Sequence, residues 1–161
     1  MDQVPRRPSV RLTAEAWEAL FRAQVAVMRR VRQDPVFREL PILEYDVLFN
    51  LSRHPGGWTR LHQLNEQLLI SQPSLSRMVD RLERKGLIQR RPATGDQRGI
   101  ELGLTEQGKA LQRSIGSEHV LRIQELMGPL LSVDELEQLR AISKKISTGL
   151  DNPRLNNPEL D

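Results

Sequence analysis

The chain has 161 residues, an ordinary length for a single domain, and its 38% of hydrophobic residues is enough for a sizeable core. The absence of cysteine excludes disulfides, thiolate metal ligands and thiol-based redox sensing. The net charge of +3 does not by itself indicate nucleic-acid binding, so the positions of the charges matter more. Because no apolar run is as long as a membrane span and the N-terminus lacks the apolar core of a signal peptide, we expect a cytoplasmic protein without a membrane partner.

The first elements are predicted to be helices. Residues 1–11 are polar and proline-containing, which indicates a flexible arm, and Thr13 is a suitable N-cap for the segment that follows. That segment has apolar residues at helical spacing and ends near Asp34. Pro41 begins a second helix, which stops at the Pro-Gly-Gly turn of residues 55–57.

A short helix and a longer helix come next, joined by a tight turn. Thr59 is the expected cap of the short helix, residues 60–69, and Ser71 is the expected cap of the longer one. Pro73 lies in the first turn of the longer helix, where a missing N–H is harmless, and Gly86 lies where a glycine commonly ends a helix. This arrangement is typical of a helix-turn-helix.

Beyond the longer helix, the apolar residues alternate with polar ones. This period predicts a β-hairpin with strands at residues 87–91 and 100–104 and a long tip rich in Pro, Gly and Asp. Thr105 then caps a long amphipathic helix that is broken near Gly128, and Ser132 is a suitable cap for a final helix.

The longer helix divides its residues between two faces. One face is small and polar at its N-terminal end and arginine-rich beyond, which suits the major groove, since Arg bonds bidentately to guanine and the helix N-terminus attracts phosphate. Arg77 and Arg81 lie one turn apart and repel by roughly 0.2–0.5 kcal/mol, a cost that we expect DNA phosphates to offset. Asp80, four residues before Arg84, is expected to hold that arginine. The apolar face, expected to pack on the short helix, consists of Leu75, Met78, Val79 and Leu82.

The hairpin is a second basic element. Arg90 and Arg91 lie on its first strand, and Arg98 lies at its tip, where an arginine can enter a minor groove. Asp96 is close enough in sequence to orient Arg98 by an ion pair. Charged helix faces and hairpin arginines are usually solvated surface. A capped helix pair followed directly by a basic hairpin nevertheless favours a winged helix-turn-helix that binds DNA.

Residues 71–111, SQPSLSRMVDRLERKGLIQRRPATGDQRGIELGLTEQGKAL, resemble the MarR family of multiple-antibiotic-resistance-type regulators. The most specific part is DQRGIELGLT, residues 96–105, which resembles the family's Asp-x-Arg wing followed by the Leu-Thr that starts the next helix. LSRMVDRLERKGLI resembles the family's recognition helix. The resemblance, which extends over residues 12–150, implies a mainly α fold with a small β-hairpin wing, a winged helix-turn-helix flanked by N- and C-terminal dimerisation helices.

The resemblance also implies a domain organisation and partners. It implies an obligate homodimer on palindromic double-stranded operators, regulated by a small aromatic or anionic effector. Broad apolar stripes on the first helix and the last two helices independently favour a dimer, because a monomer of this size would leave them uncovered. We expect one MarR-like domain over residues 1–161, with the winged part at 42–104, dimerisation helices at 12–34 and 105–150, and flexible arms at 1–11 and 151–161.

The candidate binding residues fall into two groups. For the ligand pocket the family architecture suggests aromatic residues of the first two helices, although packing in a core is the more common role: Trp17, Phe21, Tyr45 and Phe49. For DNA contact, the family motif and the basic faces together indicate Gln72, Ser74, Ser76, Arg77, Arg81, Arg84, Arg91, Asp96 and Arg98.

The favoured function is a sequence-specific, homodimeric transcriptional regulator, a repressor released by a small ligand. One alternative is a winged-helix module that binds protein or RNA without operator specificity, but that would call for an apolar recognition surface. A second is a ligand-binding or catalytic helical dimer with an incidental basic patch. We expect no enzyme, since no serine lies in a Gly-x-Ser-x-Gly elbow, and neither cofactor nor metal, since His54, His62 and His119 share no ligand spacing.

Overall fold

The computed structural model describes residues 8–93 and 96–151, with side chains except at residues 96–98. The described residues divide into two compact units, one ending at Leu121 and the other beginning at Arg122. Two short 3-10 helices cover Pro35–Arg38 and Pro55–Gly57. The α-helices and strands are, in chain order, α1 (Val10–Val31), α2 (Ile42–Arg53), β1 (Trp58–Arg60), α3 (Leu61–Glu66), α4 (Gln72–Arg84), β2 (Ile88–Ala93), β3 (Asp96–Leu104), α5 (Glu106–Met127) and α6 (Val133–Leu150). The predicted mainly α fold with a small β-hairpin wing is confirmed.

The strands form one antiparallel sheet in the order β1-β3-β2. Trp58 lies opposite Gly103, where a glycine is needed because a Cβ would come within 2.8 Å of the indole ring. The predicted hairpin is confirmed, but its predicted long tip is wrong. Strand β2 continues to Ala93 and β3 begins at Asp96, with a register irregularity after Pro92. The pairing therefore extends the hairpin well beyond the alternating residues that revealed it.

Two predicted helix caps are wrong. The N-cap of α1 is Ser9, whose hydroxyl accepts a backbone N–H of the first turn, while Thr13 lies inside the helix and donates its hydroxyl to the Ser9 carbonyl. The N-cap of α3 is Arg60, whose backbone N–H donates to the Gln63 side chain. Thr59 is instead buried in β1, and its hydroxyl also donates to Gln63. In α1 the Ser9 hydroxyl thus satisfies a backbone donor of the first turn. In α3 the Gln63 side chain satisfies the backbone N–H of the N-cap residue.

Packing in the core of the first unit fixes the position of helix α4. Its predicted apolar face is buried, with Leu75, Val79 and Leu82 at 0% exposure and Met78 at 6%. Full burial of one such side chain stabilises a fold by roughly 1.5–3 kcal/mol. Other buried apolar residues come from α2, α3 and the sheet: Val47, Leu48, Leu51, Leu64, Ile88 and Leu102. This packing fixes which side of α4 faces outward.

The start of α5 closes against the end of α4. The Thr105 hydroxyl accepts the Gly108 backbone N–H at 3.0 Å, which confirms the predicted cap, and donates to the Gly86 carbonyl at 2.6 Å. Gly108 has no room for a side chain, because a Cβ there would lie 2.0 Å from the Leu87 carbonyl oxygen. The winged part and the long helix are therefore joined by close backbone contact.

In the second unit, Ser132 and Glu135 form a capping box at the start of α6, which confirms the predicted cap. No described helix is long and apolar enough to cross a membrane.

Candidate nucleic-acid interface

Helix α4 has well-defined ends. Pro73 lies in its first turn, as predicted. At its other end, Gly86 has φ +72°, its N–H donates to the Glu83 carbonyl at 2.8 Å, and the Leu87 N–H donates to the Leu82 carbonyl at 3.0 Å. These two bonds form a Schellman motif, which needs the left-handed conformation that glycine adopts without strain. The chain therefore leaves α4 in a fixed direction and enters β2 two residues later.

The outer face of α4 is polar and cationic. The Ser74 hydroxyl accepts a hydrogen bond from the Ser71 hydroxyl at 2.9 Å and from Arg77 Nη2 at 3.3 Å. Arg84 Nε donates to the backbone carbonyl of Asp80 at 3.2 Å. Six predicted DNA-contact residues lie on this helix, Ser74 and Ser76 half-buried and the rest exposed: Gln72, Ser74, Ser76, Arg77, Arg81 and Arg84.

A buried carboxylate from α2 lies against this face. Glu44 is only 6% exposed and accepts hydrogen bonds from Arg81 Nε at 3.1 Å and Lys85 Nζ at 2.7 Å. Burial raises the pKa of Glu44, but the hydrogen bonds and charges of Lys85 and Arg81 outweigh it, and the net pKa lies below its ordinary value. The expectation that DNA phosphates offset the charge of Arg81 is thus incomplete, because a protein carboxylate already does so.

The wing is tied to α4 by an arginine. Arg90 Nη2 donates to Asp80 Oδ1 at 2.6 Å, and its Nη1 donates to Glu83. The predicted ion pair between Asp80 and Arg84 is wrong, because the Asp80 carboxylate binds Arg90 and Arg84 reaches only the Asp80 backbone. Strand β2 and helix α4 are therefore held in register by two charge-assisted hydrogen bonds.

The other predicted wing residues lie on β2 and β3. Arg91 donates to Glu101 at 2.8–2.9 Å, and its guanidinium lies 4.0 Å from the centre of the Trp58 ring. Asp96 and Arg98 belong to β3, but their side chains, and with them the predicted ion pair, lie outside the described residues. Arg91 therefore has one partner on β3 and one on β1, and the ion pair between Asp96 and Arg98 stays a prediction.

The four candidate pocket residues form two aromatic pairs. The rings of Tyr45 and Phe49 stack at 6.1 Å on α2, and those of Trp17 and Phe21 stack at 6.2 Å on α1. No ring contact among the described residues joins the two pairs. Tyr45 is 5% exposed, as a core residue should be, but Trp17, Phe21 and Phe49 are 65%, 52% and 37% exposed. For those three, a core role within one chain is wrong.

Sequence reasoning missed the surroundings of Tyr45. Its ring makes edge contacts with Phe37 at 5.6 Å and His119 at 5.9 Å, and those two rings are 5.1 Å apart. The Nδ1 atom of His119 is buried without a hydrogen-bond partner. Burial raises the pKa of nearby Asp46, and the charge of His119 only partly opposes that shift. The cluster thus combines an aromatic wall with an unsatisfied polar atom.

Sequence reasoning also missed Glu44, although a signal for it existed. Glu44, Leu48 and Leu51 are spaced i, i+4 and i+7, so a helix places all three on one face. Both leucines are fully buried. The same period that predicted their burial would have predicted the burial of the carboxylate, and with it the need for a cationic partner.

Together, α3, α4 and the β2–β3 hairpin define a winged helix-turn-helix protein. The MarR family profile matches residues 39–99. The HTH-type transcriptional regulator PecS of Dickeya dadantii (strain 3937) is 32% identical over 124 residues, which are 75% of this chain and 74% of PecS. The chain belongs to the MarR family and is a DNA-binding transcription regulator.

Two solved structures share the fold. Sco3205, a MarR family transcriptional regulator from Streptomyces coelicolor in complex with DNA, has a TM-score of 0.73 at 22% identity and covers 93% of this chain and 94% of its own. NadR in complex with 4-hydroxyphenylacetate has a TM-score of 0.66 at 24% identity, with 91% and 97% coverage. The architecture described above is therefore the fold that both solved structures share.

Proposed function

We propose that the protein is a homodimeric repressor that binds a palindromic duplex operator through α4 and the β2–β3 wing and is released by a small ligand. The observation that carries this proposal is the division of α4 into a fully buried apolar face and an outer face of serines and arginines. Because the buried face leaves the helix no freedom to rotate, the outer face is presented in one orientation. The solved complex of Sco3205 with DNA supports this use of the fold.

Arg77 is the strongest candidate for base recognition. Its guanidinium makes one long hydrogen bond, 3.3 Å to Ser74, whereas Arg81 is held by Glu44. A guanidinium with unused donors on a major-groove helix can bond to both O6 and N7 of guanine. The cationic character of this face also argues against the alternative of a protein-binding module, which would call for an apolar one.

Exposed apolar side chains support the homodimer. On α1, Trp17 and Phe21 are more than half exposed. Separately, on α6, Ile142, Ile146 and Leu150 are 57%, 45% and 63% exposed, and their spacing of four residues places them on one face of the helix. Contiguous apolar surface of this kind in a water-soluble chain marks an association surface. A two-fold dimer would place its two recognition helices on successive major grooves, about 34 Å apart.

The cluster around Tyr45 supports a ligand of the aromatic or anionic class. Phe37 and Tyr45 are buried and pack their rings against His119, whose buried Nδ1 lacks a partner, so a ligand would have to enter among these rings. Ligand sites commonly combine an apolar wall with a few such polar groups. NadR, which shares the fold, is solved with 4-hydroxyphenylacetate, a ligand with both an aromatic ring and a carboxylate.

The proposal is tested by footprinting on the DNA upstream of the protein's own gene, followed by fluorescence anisotropy with the protected duplex. Arg77→Ala is expected to lower the preference for this duplex over random sequence about 5- to 150-fold, since a bidentate base contact contributes roughly 1–3 kcal/mol to discrimination. Arg11→Ala is the matched control, because Arg11 is 89% exposed on α1 and pairs only locally with Glu15. Equal behaviour of the two variants would refute base recognition by Arg77.

A further inference from the structure

We propose that Glu44 is a specificity-determining residue of the DNA interface: it withholds Arg81 and Lys85 from unselective phosphate binding and fixes the direction of the Arg81 guanidinium. This inference rests on the proposed DNA-binding role of α4. It assigns to a buried residue of α2, which would not touch DNA, control over two cations of the recognition helix.

The geometry joins one anion to two cations at the surface. Glu44 reaches Arg81 and Lys85 from 37 and 41 positions away in the sequence, with one carboxylate oxygen for each cation. The carboxylate is nearly buried, with 7% of its side chain exposed, whereas the side chains of Arg81 and Lys85 are 44% and 45% exposed. The anion therefore lies beneath the cations, on the side away from solvent.

The arrangement lowers the attraction for phosphate. Three charges of which one is negative leave a net charge of +1, where Arg81 and Lys85 alone would present +2. A phosphate that bound either cation would compete with a carboxylate already at hydrogen-bond distance. Unselective DNA binding comes almost entirely from cations that neutralise phosphates and release counterions. Glu44 thus reduces the part of the affinity that carries no sequence information.

The same bonds leave Arg81 able to read a base. Nε binds Glu44 and Nη1 lies 3.4 Å from the Arg77 carbonyl, so two of the five guanidinium N–H donors are used. The remaining donors are held in one direction by the planar fork. A fixed guanidinium loses less entropy when it meets a base edge than a free one does. Glu44 therefore favours selectivity in two ways: it weakens phosphate binding, and it fixes the direction of the Arg81 guanidinium.

Glu44→Gln tests the proposal, because it keeps the shape of the side chain and removes its charge. With random-sequence duplex at about 0.1 M salt, we expect roughly eightfold tighter binding for each additional phosphate that the dimer neutralises, and a log–log salt slope steeper by about 0.9 for each. Operator affinity should not rise in proportion, so the ratio of operator to random affinity should fall at least about fivefold. A residue that only joined α2 to α4 would instead weaken binding to both duplexes.

Control variants isolate the effect. Glu15→Gln makes the same charge change on the exposed face of α1 and should leave random-duplex affinity unchanged. In an Arg81→Gln, Lys85→Gln background, Glu44→Gln should tighten that affinity by no more than about twofold, the repulsion of one unpaired carboxylate, because the cations it restrains are gone. A gain of about eightfold that persisted in this background would overturn the assignment.

A second variant tests the proposal even if Glu44→Gln does not fold. Lys85 is exposed, so Lys85→Gln should fold, and it should leave the salt slope for random duplex unchanged because Lys85 neutralises no phosphate. A fall of about 0.9 per subunit would overturn the proposal. If the native protein binds no duplex, the proposed function fails. If it binds its operator but Glu44→Gln gains nothing on random duplex, only this inference fails.

Discussion

Arg90 is predicted to hold the wing and the recognition helix in a DNA-binding arrangement. Arg90→Gln would break its hydrogen bonds to Asp80 and Glu83. Exposed ion pairs contribute about 0.2–1 kcal/mol each, and these carboxylate side chains are 51% and 36% exposed. Because both carboxylates are this exposed, each ion pair should contribute an energy in the lower half of that range, and the two pairs together should stabilise the fold by roughly 1 kcal/mol. For a chain of this length the unfolding midpoint should fall by about 2–4 °C.

The effect of Arg90→Gln on DNA binding should be larger than this stability loss alone implies. The substitution changes the charge of the group formed by Arg90, Asp80 and Glu83 from −1 to −2, and it leaves two unpaired carboxylates on α4. The loss of this one positive charge at about 8 Å from a phosphate costs roughly 0.5 kcal/mol in water, so duplex binding should weaken at least about twofold per subunit, or about fivefold for a dimer. Fluorescence anisotropy measures this affinity, with thermal unfolding of the same samples alongside.

A compensating variant makes the test of Arg90 specific. Adding Asp80→Asn and Glu83→Gln to Arg90→Gln removes the unpaired charges and should restore affinity to within about twofold of the native protein. The reasoning is refuted if Arg90→Gln binds as tightly as the native protein, or if removal of both carboxylates recovers nothing.

Further predictions concern stability, acid sensitivity and assembly. Gly108→Ala should lower the free energy of unfolding by about 3 kcal/mol, because its Cβ would clash with the Leu87 backbone, and a thermal midpoint within a degree of native would contradict this. Asn65→Ala should raise the free energy of unfolding by about 1 kcal/mol in urea, since Asn65 Oδ1 is buried without a partner; a loss would argue for an unseen contact. The pKa of Glu44 is depressed from 4.5, so its stabilisation exists above that pH and is lost as the pH falls through the depressed pKa. Glu44→Gln should therefore flatten the acid limb of a stability–pH curve, and an unchanged limb would exclude this linkage. Ile142→Asp, at a 57% exposed position of α6, should convert dimer to monomer in sedimentation, and an unchanged dimer would remove this face from the interface.

The two ends of helix α4 could be predicted from the sequence because the residues that mark them act locally. Ser71, Pro73 and Gly86 lie within one turn of the helix ends, and the structure places each at its predicted position, although the Ser71 hydroxyl donates to Ser74 and accepts no backbone N–H of the helix. The ion pairs of this helix could not be predicted in the same way. Spacing alone pairs Asp80 with Arg84, although Arg90 of the adjacent strand competes for Asp80 once the hairpin folds back. Spacing along a helix identifies possible partners but not which of them tertiary structure brings closer.

The apolar pattern of α1 shows a second limit of prediction from the sequence. Helical spacing correctly predicted a helix and an apolar face, but not what covers that face. Trp17 and Phe21 remain more than half exposed in the single chain, because periodicity reports which residues avoid water and not whether their partner belongs to the same chain. The predicted start of this helix is wrong for a related reason, since Ser9 and Thr13 are both favoured caps by residue type and only the backbone decides between them.

The most direct test of the central claim is the salt dependence of duplex binding by the native protein. Measured by anisotropy from low to high salt, log affinity should fall linearly with log salt, with a slope of roughly −0.9 for each phosphate contacted by the arginine face of α4 and the wing. A well-folded sample that bound no duplex at low salt, or bound one with no salt dependence, would contradict the account.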